Sequence, residues 1–177
     1  AIHNFVWGPG GGLYMQESVF HHTQVETIYG PRRSKDNAIY RFDPRTHRLE
    51  IVSRLPPGGN PWGYAINRWG EHLYVGRHNN ASLINQPESG NVANANYGNS
   101  DTRNCGQEFI SSRHWPDEFQ GKVFTNQYKN FQGVLLHDWT ENGTTYDHKR
   151  LGKVFEAHNK ACIPVDLQLG PDGALYV

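Results

Sequence analysis

The sequence lacks any long apolar run and has no net charge. Its 177 residues include 17 basic and 17 acidic side chains. No stretch approaches the roughly 18 apolar residues of a membrane-spanning helix. With equal numbers of basic and acidic residues, the chain has neither the excess positive charge of a nucleic-acid-binding protein nor a polybasic patch for a membrane surface. We therefore expect no nucleic-acid partner and no membrane span in this chain.

Cysteine is scarce, and the common short catalytic motifs are missing. Cys105 and Cys162 lack the spacing of a zinc site, and one disulfide or two reduced thiols are both compatible with them. The chain contains no P-loop, HExxH, GxSxG, EF-hand loop or CxxCH, and GPGGG at 8–12 is not a dinucleotide motif. No positively charged segment followed by an apolar stretch opens the chain, so no signal peptide is visible.

Glycine, proline and aromatic residues are plentiful. The chain has 19 Gly, 10 Pro and 12% aromatic residues, which is typical of short aromatic-lined strands joined by many turns. No window shows helical periodicity over ten or so positions. The composition therefore predicts an all-β fold, and the length is sufficient for one domain with its own core.

One hairpin pattern recurs along the chain. An apolar alternating run, a turn and a Leu-Tyr-aliphatic triplet lie near 5–15, 64–75 and 167–177, with a degraded copy near 118–125. The spacing of about 50 to 60 residues, with about four short strands per unit, is typical of β-propeller blades. We predict that 1–177 is a single β-propeller domain fragment of about three four-stranded blades and the start of a fourth.

The remainder of each unit is less uniform. Residues 37–54 and 131–156 each show two alternating runs around a turn, as expected of an outer hairpin. Residues 79–106 are rich in Asn, Ser and Gly and poor in strand formers, so they either replace the outer hairpin with a loop or form an insertion over one face. We predict a long polar loop, ordered in part, that acts as a lid.

Blade topology sorts the connections into two faces. Turns between first and second strands, or third and fourth, are short, at 8–12, 43–46, 69–71 and 171–173. We name their side the short-turn face. The other connections are long and polar, at 16–37, 54–63, 76–80, 126–130 and 157–164, and define the long-loop face. Because loops at a channel mouth carry binding residues, we predict that the long-loop face is functional.

The segment 16–37 holds the candidate catalytic residues His21, His22 and Glu26. A neutral imidazole can act as a general base near pH 7 or bind a metal, and a nearby carboxylate can fix its tautomer. Adjacent histidines on a strand point to opposite sides, so at most one faces the channel. The alternative is a turn whose histidines hydrogen-bond the backbone.

The long-loop face also supplies candidate ligand contacts. Arg32 and Arg33 can hold a carboxylate or quinone oxygen bidentately, or remain solvated surface charges. Asp166 can bind a cation, orient a histidine or cap a strand. The candidates for cofactor binding are Arg32, Arg33, His78, Asn79 and Asp166, and those for substrate binding are Trp62 and Asn126.

A charged segment on the short-turn face competes with these candidates. Residues 111–119 carry Arg113, His114, Asp117 and Glu118, which resemble a catalytic group when taken alone. Because the segment connects a first strand to a second strand, we predict a structural turn there.

Several segments together resemble a known bacterial family. SVFHHTQVET, GPRR, YRFDPRTHRLE, NPWGYAINRWGEHLYV, ISSRHWPDEFQGKVFTNQYKNFQGVLLH and PVDLQLGPDGALYV occur in the order found in the propeller domain of large secreted planctomycete proteins. Those proteins are labelled membrane-bound dehydrogenases or haem-binding proteins. The resemblance covers nearly the whole chain, which departs at Ile163, where relatives usually have Arg.

This resemblance implies a six- or seven-bladed propeller similar to the soluble quinoprotein glucose/sorbosone dehydrogenases. Pyrroloquinoline quinone and calcium would sit at the channel mouth, and His21 or His22 would take the proton of a sugar or polyol hydroxyl. Haem would belong to a cytochrome c domain outside this fragment, in a periplasmic or extracellular protein. The alternative is a non-catalytic propeller module that binds carbohydrate or a partner protein through Trp62 and the Asn-rich loop.

Overall fold

The computed structural model describes residues 2–54, 62–75, 80–86, 91–96, 104–129, 131–143 and 145–177. Their regular structure is β-strand, apart from one 3-10 turn at Asp117–Phe119. The prediction of an all-β fold is confirmed. No helix in these ranges is long and apolar enough to cross a membrane.

The first sheet has the order β1-β2-β5-β6, and all its strands are antiparallel. A separate hairpin, β3–β4, joins β2 to β5. The strands are β1 (Ile2–Trp7), β2 (Leu13–Glu17), β3 (His22–Val25), β4 (Arg32–Lys35), β5 (Ala38–Asp43) and β6 (Arg48–Arg54). The β5–β6 turn forms because the Asp43 carboxylate accepts the Arg45 backbone N–H at 2.9 Å, as Asp commonly does in turns.

The second and third sheets are also four-stranded antiparallel meanders, and a two-stranded sheet follows. The second contains β7 (Tyr64–Ile66), β8 (His72–Val75), β9 (Asn80–Gln86) and β10 (Asn91–Asn96). The third contains β11 (Gln107–Phe109), β12 (Val123–Gln127), β13 (Gly133–Asn142) and β14 (Thr145–Glu156), and the last contains β15 (Gln168–Leu169) and β16 (Leu175–Tyr176). The described sheets do not close into a barrel or ring.

Two predicted loops contain strands. The prediction of a long polar loop at 79–106 is wrong for β9 and β10, which pair with each other and extend the second sheet through β8. Backbone pairing with an existing strand outweighs the low strand propensity of Asn and Ser, since that propensity depends strongly on context. The segment 16–37 is likewise no open loop, because it begins inside β2 and contains the β3–β4 hairpin.

Apolar clusters join each sheet to the next. Ile39 of the first sheet packs with Tyr64 and Tyr74 of the second. A second cluster joins the second and third sheets through Ala65, Leu73, Phe109, Val123 and Trp139, and a third joins the third sheet to Leu167 before β15. Burying each large side chain contributes roughly 1.5–3 kcal/mol. The first strands also touch in succession, β1 with β7, β7 with β11 and β11 with β15.

A buried histidine in the second sheet makes stability depend on pH. His72 lies against the Tyr64 hydroxyl, with the Tyr14 ring 5.0 Å away edge-on. Burial lowers the pKa of His72 from 6.5 to about 4. The unfolded chain therefore binds more protons than the folded chain between these values, so stability falls as the pH drops below 6.5.

We expect His72 to cost the folded chain about 2 kcal/mol at about pH 5 relative to neutral pH. Urea unfolding of wild type and His72→Gln across this pH range measures the effect, because other titrating groups cancel in the difference. A difference that stays constant with pH would contradict a neutral buried imidazole.

Candidate functional site

The starts of the first strands meet at one edge of the array, which we name the inner edge. The Asn4 side-chain amide donates to the Trp62 carbonyl at 2.7 Å. A Cβ added at Gly63 would lie 2.5 Å from the Gln107 side chain, and one at Gly106 would lie 2.7 Å from the Asp166 backbone. The inner edge therefore brings together residues 2–4, 62–64, 104–108 and 164–168.

Asn126 holds this edge together from the end of β12. Its Oδ1 accepts the backbone N–H groups of Cys105 at 2.7 Å and Gly106 at 2.9 Å. Its Nδ2 donates to the Pro164 carbonyl at 2.8 Å. The side chain is fully buried, so Asn126 positions the starts of β11 and β15 and has no surface to offer a substrate.

An acidic pair, Glu108 and Asp166, lies where β11 meets β15. Burial raises the pKa of Glu108 from 4.5 to about 7, and the charge of Asp166 adds to this shift, whereas a hydrogen bond with the Leu169 backbone opposes it. Asp166 is exposed, and its Oδ1 accepts the backbone N–H of Leu167 at 2.9 Å. Glu108 is therefore partly protonated near neutral pH and can accept or donate a proton there.

Cys105 adjoins the acidic pair. Burial raises the pKa of its thiol, and the charge of Asp166 adds to the shift, whereas a hydrogen bond with Tyr128 opposes it. A raised pKa keeps the thiol protonated and so a poor nucleophile. Cys105 is half-buried, Cys162 is exposed, and both are free thiols, which resolves the choice that their spacing left open.

The predicted catalytic residues lie together on the β3–β4 hairpin, apart from the acidic pair. The backbone of His21 is hydrogen-bonded to Asp36, with the N–H donating to the carboxylate at 2.9 Å. His22 is exposed on β3 opposite Lys35. The Glu26 carboxylate, also exposed, accepts the Gln24 side-chain amide at 2.5 Å. His21 thus takes part in the hairpin through its backbone, while His22 lies within a strand.

The two predicted anion-binding arginines serve the same hairpin. Arg32 Nε donates to the Leu49 carbonyl at 2.9 Å and so ties β4 to β6. Arg33 Nε donates to the Gln24 side-chain carbonyl at 2.5 Å across the hairpin. Both guanidinium groups hold the hairpin in place at the outer side of the first sheet.

The hairpin is anchored by a buried carboxylate that the sequence did not single out. Glu17 Oε1 accepts the hydroxyls of Ser34, at 2.9 Å, and Thr23, while Oε2 accepts the Ala38 backbone N–H at 3.2 Å. Glu17 has no solvent exposure. A charged group is tolerated at such a site because three donors replace its water.

Trp62 is the remaining candidate in the described ranges. Its side chain is 38% exposed beside β1, at the inner edge. His78 and Asn79 lie outside the described residues. Asp166 and Trp62 are therefore the predicted ligand contacts that reach the inner edge with accessible side chains.

The described members of the predicted cofactor set lie on different elements of the fold. Arg32 and Arg33 bind acceptors beside β6 and on β3, whereas Asp166 precedes β15 in another sheet. Across the described ranges, no group of three His, Cys, Asp or Glu side chains could hold a metal ion. The residues assigned to pyrroloquinoline quinone and calcium are thus separated.

Residues 111–119 form the connection between β11 and β12, as their place in the repeat predicts. Arg113, His114, Asp117 and Glu118 are exposed. Trp115 anchors the segment, since its indole N–H donates to the Gly173 carbonyl at 3.0 Å and its ring packs on Phe124.

Sequence reasoning missed Glu108. One signal was available, because a carboxylate inside the short first strand QEF interrupts an otherwise uncharged strand. Only the three-dimensional packing shows that this carboxylate is partly buried and has a second acid beside it.

No protein-family model matches the chain, and no curated protein or solved structure shows significant similarity to it.

Proposed function

We propose that the chain is a section of a β-propeller, with three four-stranded sheets as successive blades and β15–β16 as the start of a fourth. The antiparallel meander of each sheet supports this proposal. So do the contacts between successive first strands and the apolar clusters between neighbouring sheets. Six or seven blades would complete the ring that the family resemblance implies.

We further propose that this propeller belongs to a secreted dehydrogenase-like protein that acts on a sugar or polyol, with Glu108 as the proton acceptor. The single observation that supports this role is the pKa of about 7 at Glu108 beside Asp166 on the inner edge. The Asp166 carboxylate accepts one substrate hydroxyl, and the ionised Glu108 takes the proton of a second. The hydride on the carbon of that second hydroxyl would pass to a redox cofactor such as pyrroloquinoline quinone, so proton transfer is the part of the reaction that the residues of this chain would supply.

A second candidate function is a non-catalytic module that binds carbohydrate or a partner protein. It is favoured by the local bonding of Glu26, Arg32 and Arg33, whose polar groups form hydrogen bonds with the β3–β4 hairpin and with β6. In this case Glu108 would be a structural acid, and a cytochrome c domain elsewhere in the protein would have no role in turnover.

Turnover of aldoses and polyols distinguishes the two candidates. The full chain is assayed for reduction of an artificial electron acceptor, with and without added pyrroloquinoline quinone and Ca²⁺. We expect activity to rise with pH through about 7 and Glu108→Gln to lower kcat on the order of 10²-fold or more. Glu118→Gln, on the exposed short-turn segment, is the matched control and should leave kcat unchanged.

The pH profile separates a proton acceptor from a structural acid. If Glu108→Gln lowers activity without removing the inflection near neutral pH, Glu108 is not the base. If no aldose or polyol supports reduction under any of these conditions, the dehydrogenase proposal fails and the binding module remains.

A further inference from the structure

A cleft of about 250 Å³ lies between the second and third sheets on the short-turn face. It is bounded by the β7–β8 turn, the β11–β12 connection and the ends of β13 and β14. Its position differs from that of the acidic pair, which lies between β11 and β15. Clefts for drug-sized ligands measure roughly 300–1,000 Å³, so this one suits a smaller molecule such as a single sugar ring.

The β7–β8 turn presents an indole ring at the rim of the cleft. Asn67 Oδ1 accepts the backbone N–H groups of Trp69 at 3.0 Å and Glu71 at 2.9 Å, and Gly70 has a positive φ of 83°. These bonds fix the turn. The Trp69 side chain nevertheless remains 69% exposed, with the Arg68 guanidinium 4.7 Å above its ring. A rigid turn therefore holds a large aromatic surface in solvent.

Hydrogen bonds within and between the two sheets fix the opposite wall. Glu71 Oε2 accepts the Tyr146 hydroxyl at 2.6 Å and also accepts the Asn67 side-chain amide. Gln120 Nε2 donates to the carbonyls of Ser112 at 3.0 Å and Trp115 at 2.8 Å. Because these side chains are already fixed before a ligand binds, binding loses little entropy in ordering them.

The lining combines an apolar floor with polar groups. Phe109 and Trp139 are buried in the core that joins the two sheets, and the exposed Glu141 carboxylate and the Gln120 amide lie around them. A purely apolar ligand would desolvate these polar groups without pairing them. Glu141 and Glu71 would repel an anionic ligand, and Arg68 would repel a cationic one.

We propose that this cleft binds one neutral saccharide ring, stacked by its C–H face on Trp69, with hydroxyls donating to Glu141 and Gln120. The ring is either a free monosaccharide or the terminal residue of a glycan. This inference does not rest on the proposed dehydrogenase function, since it involves other residues on another face.

Tryptophan fluorescence and calorimetric titration of the full chain with glucose, galactose, mannose and N-acetylglucosamine test the proposal. We expect saturable binding by at least one of them, weakened on the order of tenfold or more in Trp69→Ala and partly restored in Trp69→Phe. Trp7→Ala is the control, because Trp7 is also exposed, at 63%, but lies on β1 outside the cleft.

Oligosaccharides ending in the preferred sugar distinguish the two sources. Tighter binding of the oligosaccharide assigns the site to a glycan end, whereas equal binding assigns it to the free sugar. The proposal is overturned if no sugar binds at millimolar concentration, or if Trp69→Ala and Trp7→Ala have the same effect. Circular dichroism spectra of the variants that match the wild-type spectrum exclude unfolding as the cause. Trp69→Ala should also leave the pH-dependent turnover unchanged, which distinguishes failure of this proposal from failure of the proposed role of Glu108.

Discussion

Glu17→Ala is expected to lower the free energy of unfolding by about 3 kcal/mol and to release the β3–β4 hairpin from the first sheet. The substitution removes the acceptor shared by the Ser34 and Thr23 hydroxyls and the Ala38 backbone N–H. A buried donor that loses its partner costs about 1–3 kcal/mol, and the cavity left by the side chain adds to this cost. Urea unfolding measures the change in stability, and amide hydrogen exchange over residues 22–35 measures release of the hairpin.

Glu26→Ala provides the matched control on the same hairpin. Glu26 is exposed and bonds only to Gln24 among the contacts described, so its removal should change stability by no more than about 0.5 kcal/mol. Equal effects from the two substitutions would mean that Glu17 does not anchor the hairpin.

Gly106→Ala is expected to lower the free energy of unfolding by about 3 kcal/mol, the upper end of the usual overpacking cost. A Cβ at this position would lie 2.7 Å from the Asp166 Cα and carbonyl carbon and from the Leu167 nitrogen. Backbone atoms cannot rotate away as a flexible side chain can, so β15 must shift from β11. The shift would also expose Glu108 to water and carry Asp166 away from it. Both changes lower the pKa of Glu108 towards the ordinary value and outweigh the loss of the Leu169 hydrogen bond, because burial is the largest cause of the shift.

Gly10→Ala is the control for this substitution, because a Cβ there meets nothing within 4 Å. Thermal unfolding of both variants measures stability, and ¹³C chemical shifts of the Glu108 carboxyl follow its titration. A Gly106→Ala protein that is as stable as Gly10→Ala would show that the fourth sheet is not seated on the third as described.

Turns formed by residues close together in the chain were the part of the fold predicted best from the sequence. Residues 43–46 were expected to turn, and the Asp43 carboxylate forms that turn from within four residues. The same holds for the β7–β8 turn, which Asn67 builds with its own neighbours. Such features are predictable because every atom that forms them lies close by in the chain.

Features that depend on a distant partner were not predictable in this way. Gln16 and Glu17 begin a polar stretch and were placed in a loop, yet both are buried because β5 and the hairpin cover them. The strands β9 and β10 contain few strand-forming residues. β9 depends on backbone pairing with β8, and β10 depends on pairing with β9. The pKa of Glu108 is raised chiefly by burial, and the charge of Asp166, which is distant in the chain, adds to the shift.

The same distinction between local and distant contacts applies to the candidate site. The repeat placed Asp166 just before a first strand, and in the structure it precedes β15 at the inner edge. His21 and His22 were chosen because an imidazole can act as a base and because both lie on the predicted long-loop face. Which group faces an acid partner depends on contacts between sheets, and the spacing of residues within one hairpin cannot supply them.

The bonds made by Asn126 also bear on the order in which the chain assembles. They join residues 20, 21 and 38 positions apart, so each requires a long segment of chain to be looped back first. Closing such a loop lowers the conformational entropy of the chain before the contacts can stabilise the fold. The hairpins can therefore form early and independently, whereas the inner edge is a late product of folding that exists only after the third sheet and the start of the fourth have met.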